Sequence, residues 1–246
     1  MPAYTRNLLT VSGVSPKRFD QMAQFVMSRK TEFDFDLIIP MPEELDIFDA
    51  SRNDALETLY RRYCTPSSEW SRGLGIDRRL FEEIRMNEKT WLLFGCPNPG
   101  ELTAEDAQIL SRSFKLSHSD GTEVPALYFG WRLTENRILY GAPTWYHWRI
   151  CNWGTRWNAI NPKVLEHGFG WEFDTVLSPA VPIARTLSAV FVGCDISLSY
   201  SDEDIGRGCG QETYNSGRMA KELIFEDGSW KARTFALKLW DKERMN

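Results

Sequence analysis

The chain has 246 residues, of which 42% are hydrophobic and 26% charged, so it is long enough for one elaborate or two modest globular domains. Its 29 Lys and Arg are outnumbered by 34 Asp and Glu, and the net charge of −5 excludes a general electrostatic attraction for nucleic-acid backbones. No apolar run approaches the roughly 20 residues that span a bilayer, and the five cysteines include no C-x-x-C pair. We therefore expect a cytoplasmic protein without a disulfide framework.

The first forty residues predict a strand, a helix and a second strand. Residues 7–11 are β-prone, and Ser15 with Pro16 supplies an N-cap and a proline for the first helical turn. Residues 33–39 alternate between apolar and mainly acidic side chains, which indicates a half-buried strand. The helix between them has an apolar stripe at Phe19, Met22, Ala23 and Val26.

Residues 46–165 are expected to form a mostly helical insertion packed on the sheet. Residues 54–63 and 76–86 have helical spacing, and Thr103 begins a capping box that opens a third helix. Two further stretches are interpreted as short strands or extended core segments, residues 91–94 and 124–133.

A second βαβ pattern begins after residue 165. Residues 171–177 alternate as a strand, residues 183–191 carry a helical stripe, and residues 196–200 alternate again. Two split βαβ halves that close into one antiparallel sheet are typical of the ferredoxin-like topology. The sequence therefore predicts an α+β ferredoxin-like domain from residues 1–45 and 166–246, with the insertion between its halves.

The end of the chain is expected to extend this sheet. A glycine-rich connection, residues 206–217, leads into a strand at residues 219–225 that should pair with the strand at 196–200. Residues 229–240 are interpreted as a further strand.

Four of the ten tryptophans fall within residues 144–158, together with charged and amide side chains. Such a cluster marks either a core anchor or a recognition surface, because the indole is large and carries one N–H donor. We favour a core anchor between insertion and sheet. The alternative is that two arginines beside exposed rings bind an anionic or aromatic ligand, a single-stranded base or a protein. The candidate binding residues are Trp145, Trp148, Arg149, Asn152, Trp153, Arg156 and Trp157.

His147 and Cys151 stand four residues apart and could share a helical face as metal ligands, with His167 or Asp174 completing the site, or as a thiol and its base. A zinc site needs three or four ligands at credible spacing, and nothing signals a lowered thiol pKa. We therefore predict no metal, no cofactor and no catalytic set.

Two other patterns have functional and ordinary interpretations. Backbone amides at residues 206–210, with Arg207, could hold a phosphate, but the known phosphate-loop spacings are missing and acidic residues precede the segment, which favours a hairpin connection. Carboxylate pairs, Asp34 with Asp36 and Glu172 with Asp174, could do acid–base chemistry, but solvent-facing polar rows are preferred.

The chain resembles the YubB-like group of plasmid and phage proteins. The resemblance rests on residues 7–13, 35–42 (Phe-Asp-Leu-Ile-Ile-Pro-Met-Pro), 152–159 (Asn-Trp-Gly-Thr-Arg-Trp-Asn-Ala), and 173–175 leading into Ser178-Pro179. It implies a ferredoxin-like domain in a mobile-element accessory protein, and it supplies no catalytic residues.

Three functions remain open from the sequence. The first is a non-enzymatic interaction module that binds a host or self-encoded macromolecule, most simply a protein of the host or the mobile element. The second is single-stranded nucleic-acid binding through the tryptophan block or the sheet face. The third is a small-molecule enzyme with a site between sheet and insertion, where Arg156, His147 and Cys151 would be tested first.

Overall fold

The computed structural model describes residues 4–64, 103–110, 112–117 and 123–240. The chain divides into two compact units, Met1–Met41 with Tyr146–Asn246, and Pro42–Trp145. The predictions for residues 76–86 and 91–94 lie outside the described residues.

The elements follow one another along the chain. The first are β1 (Tyr4–Ser12), α1 (Pro16–Val26), α2 (Phe35–Ile38), a 3-10 turn (Glu43–Leu45) and α3 (Asn53–Cys64). Next come α4 (Ala104–Leu110), β2 (Ser113–Lys115), β3 (Glu123–Pro125), α5 (Ala126–Tyr140) and α6 (Trp145–Trp153). The last are β4 (Ile160–Val164), β5 (Gly170–Val176), α7 (Val181–Val190), β6 (Asp195–Asp202), β7 (Gly210–Asn215), β8 (Arg218–Ile224) and α8 (Trp230–Trp240).

The larger unit is built on a six-stranded antiparallel sheet in the order β4-β5-β1-β6-β7-β8. Two crossovers, β1-α1-β4 and β5-α7-β6, interlock in this order, which is the split βαβ arrangement of a ferredoxin-like domain. The predicted α+β ferredoxin-like class is confirmed. Because β4 completes the first crossover, the insertion separates β1 and α1 from the remaining strands.

One face of this sheet forms the core beneath α1 and α7. Leu9 of the central strand lies between Trp171 and Leu198 of its neighbours, and all three side chains are fully buried. The Phe19 ring of α1 lies 5.0 Å from the Trp171 ring. The opposite face is partly covered by α8, whose Trp240 Nε1 donates a hydrogen bond to Ser201 Oγ at 2.9 Å.

The strand predicted at residues 33–39 is wrong, because this segment contains the short helix α2. Phe33 and Phe35 are both fully buried, while Leu37 is exposed, so burial does not alternate along the segment as it would in a strand. Asp34 caps the helix by accepting a hydrogen bond from Asp36 N. The acidic residues that suggested an exposed strand face therefore belong to a helix start.

The end of the chain also differs from the prediction. Residues 229–240 form α8 and not a strand, since Ser229 Oγ accepts from Ala232 N and the buried positions, Ala232, Ala236 and Leu239, have helical spacing. The segment predicted as a glycine-rich connection, residues 206–217, contains the strand β7. As a result, β8 pairs with β7 and not with β6. Burial alternates along residues 210–215, but two of the buried positions are Gly210 and Glu212, so no apolar alternation in the sequence indicates this strand.

The smaller unit is centred on α3 and α5. The predicted helix at 54–63 is confirmed as α3, and the predicted capping box opens α4, where Thr103 Oγ1 accepts from Asp106 N at 3.1 Å. The extended segment predicted at 124–133 is wrong beyond residue 125, because α5 occupies the rest. Gly130 packs directly against α3, since a Cβ there would lie 2.3 Å from the Leu56 carbonyl oxygen.

Candidate functional site

Trp153 anchors the α2 segment to the core of the sheet unit. Its side chain is 1% exposed, and its ring centroid lies 5.9 Å from that of Phe35 and 6.1 Å from that of Trp148. Its Nε1 donates to the Ile39 carbonyl oxygen at 2.9 Å. A buried indole with a satisfied donor supplies a large apolar area without an unpaired polar group. Trp153 is therefore a structural residue.

The residues after Trp153 form a tight corner against the end of β5. Gly154 has a φ of +84°, and a Cβ there would lie 2.6 Å from the Pro179 carbonyl oxygen. Thr155 is buried, and its Oγ1 donates to the Val176 carbonyl oxygen at 2.9 Å. Ser178 Oγ donates to the Gly154 carbonyl oxygen. These contacts hold residues 154–155 beside residues 176–178.

Asn158 joins the same corner to α2. Its Oδ1 accepts from Phe35 N at 2.9 Å, and its Nδ2 donates to Asp34 Oδ1 at 2.6 Å. The Asn158 amide thus satisfies a backbone N–H of α2 and also holds the side chain that caps this helix. Within the Asn-Trp-Gly-Thr-Arg-Trp-Asn block, the second, third, fourth and last residues therefore have structural roles.

The seven candidate residues of the tryptophan block do not form one exposed surface. Trp145 and Trp148 are buried, as is Trp153. The Arg149 guanidinium lies 4.6 Å from the centre of the Trp153 ring, and Asn152 Nδ2 donates to the Trp148 carbonyl oxygen within α6. Only Trp157, which is 45% exposed, presents a large aromatic surface.

Arg156 lies next to Trp157 and has unused hydrogen-bonding capacity. Its side chain is partly buried, and within the described residues it makes no hydrogen bond or ion pair. A guanidinium offers five donors, and an unsatisfied donor that is shielded from water costs free energy unless an acceptor reaches it. The Nε of Arg156 is thus a shielded donor without an acceptor among the described residues.

Leu177 follows β5 and has the most unusual backbone near this corner. Its φ is +71°, in the left-handed region, and its side chain is 55% exposed. The left-handed conformation costs an L-residue with a Cβ roughly 1–2 kcal/mol. Residues 176–178 are held beside residues 154–155, the segment that continues directly into Arg156 and Trp157. We call Leu177, Arg156 and Trp157 the Leu177 surface.

Sequence reasoning identified two of these residues and missed Leu177. No periodicity or composition signal indicates that a leucine adopts a left-handed backbone, since such positions normally carry Gly or Asn. The exposure of Leu177 follows from the corner at residues 154–155, which only the folded structure reveals.

Arg6 was also missed, although it is the most deeply buried cation of the sheet unit among the described residues. It is 4% exposed, its Nε donates to Asp174 Oδ1 at 2.7 Å, and its Nη1 donates to Glu172 Oε1 at 2.9 Å. The Trp240 ring centre lies 4.4 Å from its guanidinium carbon. Glu172 and Asp174 are therefore partly buried in an ion cluster with Arg6 and do not form a solvent-facing row.

The possible metal or thiol site is not assembled by the structure. His147 and Cys151 are both exposed on α6. Across the described ranges, no three His, Cys, Asp or Glu side chains are grouped to hold a metal ion. Burial raises the pKa of the Cys194 and Cys209 thiols, which makes them poor nucleophiles.

The glycine-rich segment joins β6 to β7 and meets acidic groups. A Cβ on Gly208 would lie 2.5 Å from Asp202 Oδ2, and Gly208 N donates to Asp227 Oδ1 at 3.1 Å. Arg207 pairs with the exposed Asp204 at 3.1 Å. Two carboxylates therefore lie where a phosphate would have to bind, and they would repel it. This favours the interpretation of the segment as a hairpin connection.

Asp202 makes this hairpin sensitive to pH. Burial raises the pKa of its carboxyl above the ordinary value of 3.8, with a contribution from Asp227 and against the hydrogen bond from Thr5. Ionisation of Asp202 therefore opposes folding, so the contribution of this carboxyl to stability is fully present below pH 3.8 and is lost as pH rises through its elevated pKa. We expect Asp202→Asn to be more stable than the wild type at pH 7 and equal to it at pH 3.

Urea midpoints of the two proteins at both pH values measure this difference. Asp204→Asn is the control, because Asp204 is 70% exposed. An Asp202→Asn variant that loses stability at pH 7 would contradict the assigned cause.

A second buried carboxylate, Glu212, lies on the core face of the sheet, beneath α1 and α7. Glu212 is 7% exposed, and it accepts hydrogen bonds from the hydroxyls of Tyr200 at 3.1 Å and of Tyr214. Burial and the adjacent carboxylate raise the pKa of both tyrosines. The phenols therefore stay protonated and act as fixed donors, which explains how this carboxylate is accommodated.

The open sheet face gives little support for base stacking. On β6 and β7, this face carries mainly small or amide side chains. They form hydrogen bonds with one another, Ser197 with Thr213 at 2.8 Å and Gln211 with Ser199 at 3.0 Å. Single-stranded nucleic acids are usually held by exposed aromatic rings and cations. On this face, β6 and β7 carry no aromatic ring and no cation.

None of the described helices combines the length and apolar character required to cross a bilayer.

Comparison with known proteins gives a family match for the C-terminal part of the chain. No curated protein matches the sequence. The crystal structure of protein Api92 from Yersinia pseudotuberculosis is similar at 14% sequence identity, with a TM-score of 0.41 over 94% of this chain and 100% of the other. Residues 152–243 match the family model described as a ferredoxin-like domain in Api92-like protein, in agreement with the sheet topology above.

Proposed function

We propose that this protein is a non-enzymatic interaction module that binds a partner protein through the Leu177 surface. The observation that carries the proposal is the strained, exposed leucine. A glycine at position 177 would remove the backbone strain, and the exposed leucine side chain contributes little burial in return. A contact with a partner explains why a bulky apolar residue occupies this position.

The neighbours of Leu177 have the composition of a protein-binding hot spot. Tryptophan and arginine are enriched among the residues that contribute most to protein–protein affinity, and Trp157 and Arg156 supply both. An apolar pocket with a carboxylate at its rim would complement this surface, since Arg156 makes no hydrogen bond or ion pair within the described residues.

We place this activity in the cytoplasm, as part of a plasmid or phage accessory protein. Cys151, Cys194 and Cys209 are free, which suits a reducing compartment. The mobile-element origin rests on the YubB-like resemblance alone. The partner would then be a protein of the host or of the mobile element itself.

Leu177→Gly separates binding from folding. Relief of the left-handed strain offsets the extra chain entropy of glycine, so we expect stability to be unchanged or higher by up to about 1 kcal/mol. Partner affinity should fall at least about tenfold, which corresponds to about 1.4 kcal/mol. Val192→Ser is a matched control, because Val192 has the same 55% exposure.

The partner can be captured by a photo-crosslinking amino acid placed at Trp157, with Val192 as the control position, in the native host. The captured protein is then purified, and its Kd is measured for the wild type, Leu177→Gly and Trp157→Ala. A nuclease-resistant protein adduct at position 157, together with weaker binding of both variants, supports the proposal. Equal affinity of Leu177→Gly refutes it, and an adduct with nucleic acid alone would favour the nucleic-acid alternative.

A further inference from the structure

A cleft of about 290 Å³ opens on the sheet unit beside β4 and β5. We call it the Arg6 cleft. Its volume is at the lower end of the range for ligand pockets, so it suits a molecule the size of an amino acid. The residues that matter for its chemistry are Arg6, Asn161, Pro162, Lys163, Glu172 and Asp174.

An irregularity in the edge strand β4 forms the cleft. The pairing of β4 with β5 shifts between Ile160 and Lys163, and Asn161 has a φ of +48°. Pro162 follows and has no N–H to donate to the sheet. Bulges of this kind redirect side chains and are frequent beside functional sites. Here the bulge lies between the pairs Ile160–Asp174 and Lys163–Glu172.

The floor of the cleft is fixed by Arg6. Its buried guanidinium binds one oxygen of Glu172 and one of Asp174, and the Trp240 ring stacks on it. An arginine held by two charge-assisted bonds and an aromatic ring has little freedom to move. The two carboxylates are therefore positioned in advance of any ligand.

Each carboxylate keeps an acceptor free. Within the described residues, Glu172 Oε2 and Asp174 Oδ2 accept no hydrogen bond, and the two side chains remain 20% and 19% exposed. Among the described residues, one guanidinium and two carboxylates give this floor a net charge of −1. Lys163, paired with Glu172 across the strands, places an exposed ammonium at the rim.

We propose that the Arg6 cleft binds a small zwitterion, with its ammonium or guanidinium group between Glu172 and Asp174 and its carboxylate at Lys163. The cation would neutralise the floor and satisfy both free oxygens, and the carboxylate would pair with the rim ammonium. This site is independent of the Leu177 surface, which uses other residues.

The test is binding of L-arginine to the full chain, followed by two-dimensional NMR. Agmatine, which lacks the carboxylate, and N-acetyl-L-arginine amide, which imitates an arginine side chain of a partner protein, are the comparison probes. We expect saturable shifts of β4 and β5 resonances with L-arginine, and affinity weaker by at least about tenfold for both comparison probes.

Three variants locate the site. Asp174→Asn should weaken L-arginine binding at least about tenfold, and Lys163→Met should weaken L-arginine binding at least about tenfold without weakening the binding of agmatine. Asp20→Asn, an exposed carboxylate on α1 across the sheet, should have no effect. Lys163 is exposed, so its variant tests the proposal even if Asp174→Asn disturbs the fold.

Three results would overturn the proposal. The first is the absence of saturable shifts up to about 20 mM L-arginine, a concentration that would detect even millimolar binding. The second is equal binding by wild type and Lys163→Met. The third is equal affinity for the capped probe, which would assign the cleft to a partner's side chain.

Discussion

Gly170→Ala is expected to destabilise the sheet unit by roughly 3–5 kcal/mol, because strain and overlap act together at this position. Gly170 has a φ of +150°, and a Cβ there would lie 2.0 Å from the Leu9 carbonyl oxygen. It would also lie 3.0 Å from Thr10 Cα, so the obstruction is the backbone of the central strand. Relief requires β1 and β5 to separate where Thr10 pairs with Gly170.

Gly168→Ala is the control for this substitution. Gly168 also has a positive φ, +87°, but nothing lies within 4 Å of the position of its Cβ. Its alanine variant should therefore lose only the roughly 1–2 kcal/mol of the left-handed conformation. Urea unfolding followed by far-ultraviolet circular dichroism measures both. Equal losses would show that the overlap at Gly170 relaxes without cost.

Trp153→Ala is expected to cost about 3–5 kcal/mol, the range for removing a fully buried aromatic side chain. It leaves a cavity against Phe35 and Trp148 and removes the donor to the Ile39 carbonyl oxygen. It also removes the ring beneath the Arg149 guanidinium. The loss should appear as a lower urea midpoint.

Two further variants separate these effects. Trp153→Phe keeps most of the apolar contact and removes the hydrogen bond, so it should cost less than Trp153→Ala. Trp157→Ala removes a half-exposed ring and should cost under about 1 kcal/mol. If Trp157→Ala were as damaging as Trp153→Ala, the division of the block into a buried anchor and an exposed ring would be wrong.

The parts of the fold that were predictable carry local signals strong enough to decide their structure. Ser15 and Pro16 mark the start of α1, and Ser15 does cap it. Trp171, Phe173 and Thr175 alternate in sequence and are all buried on one face of β5. Where the apolar periodicity and the residues that start or end an element indicate the same structure, the tertiary structure confirms the prediction.

The wrong predictions concern segments whose secondary structure depends on tertiary contacts. Residues 33–39 alternate like a strand, but Asn158, more than a hundred residues away, binds Phe35 N and the cap residue Asp34. Residues 124–133 were predicted as an extended segment, whereas α5 forms there and Gly130 permits its close approach to α3. Distant partners of this kind leave no trace in a local pattern.

The candidate surfaces likewise include residues that the sequence identifies and residues that only the folded structure identifies. Trp157 and Arg156 were identified by residue type, which is a local property. Leu177 depends on a backbone conformation, and the Arg6 cluster depends on strand register, since Arg6 lies directly opposite Asp174. Register brings these charges together, and it is set by the whole sheet.

The central position of β1 affects how the chain is made. Asn7 on β1 and Thr175 on β5 are hydrogen-bonded, yet they are 168 residues apart in sequence. On the ribosome β1 emerges well before β5 and β6, the strands it pairs with, while Pro42–Trp145 is continuous. Pairings of such long range slow folding, and an unpaired strand invites aggregation. Nascent chains that stall before Gly170 are therefore expected to depend on chaperones.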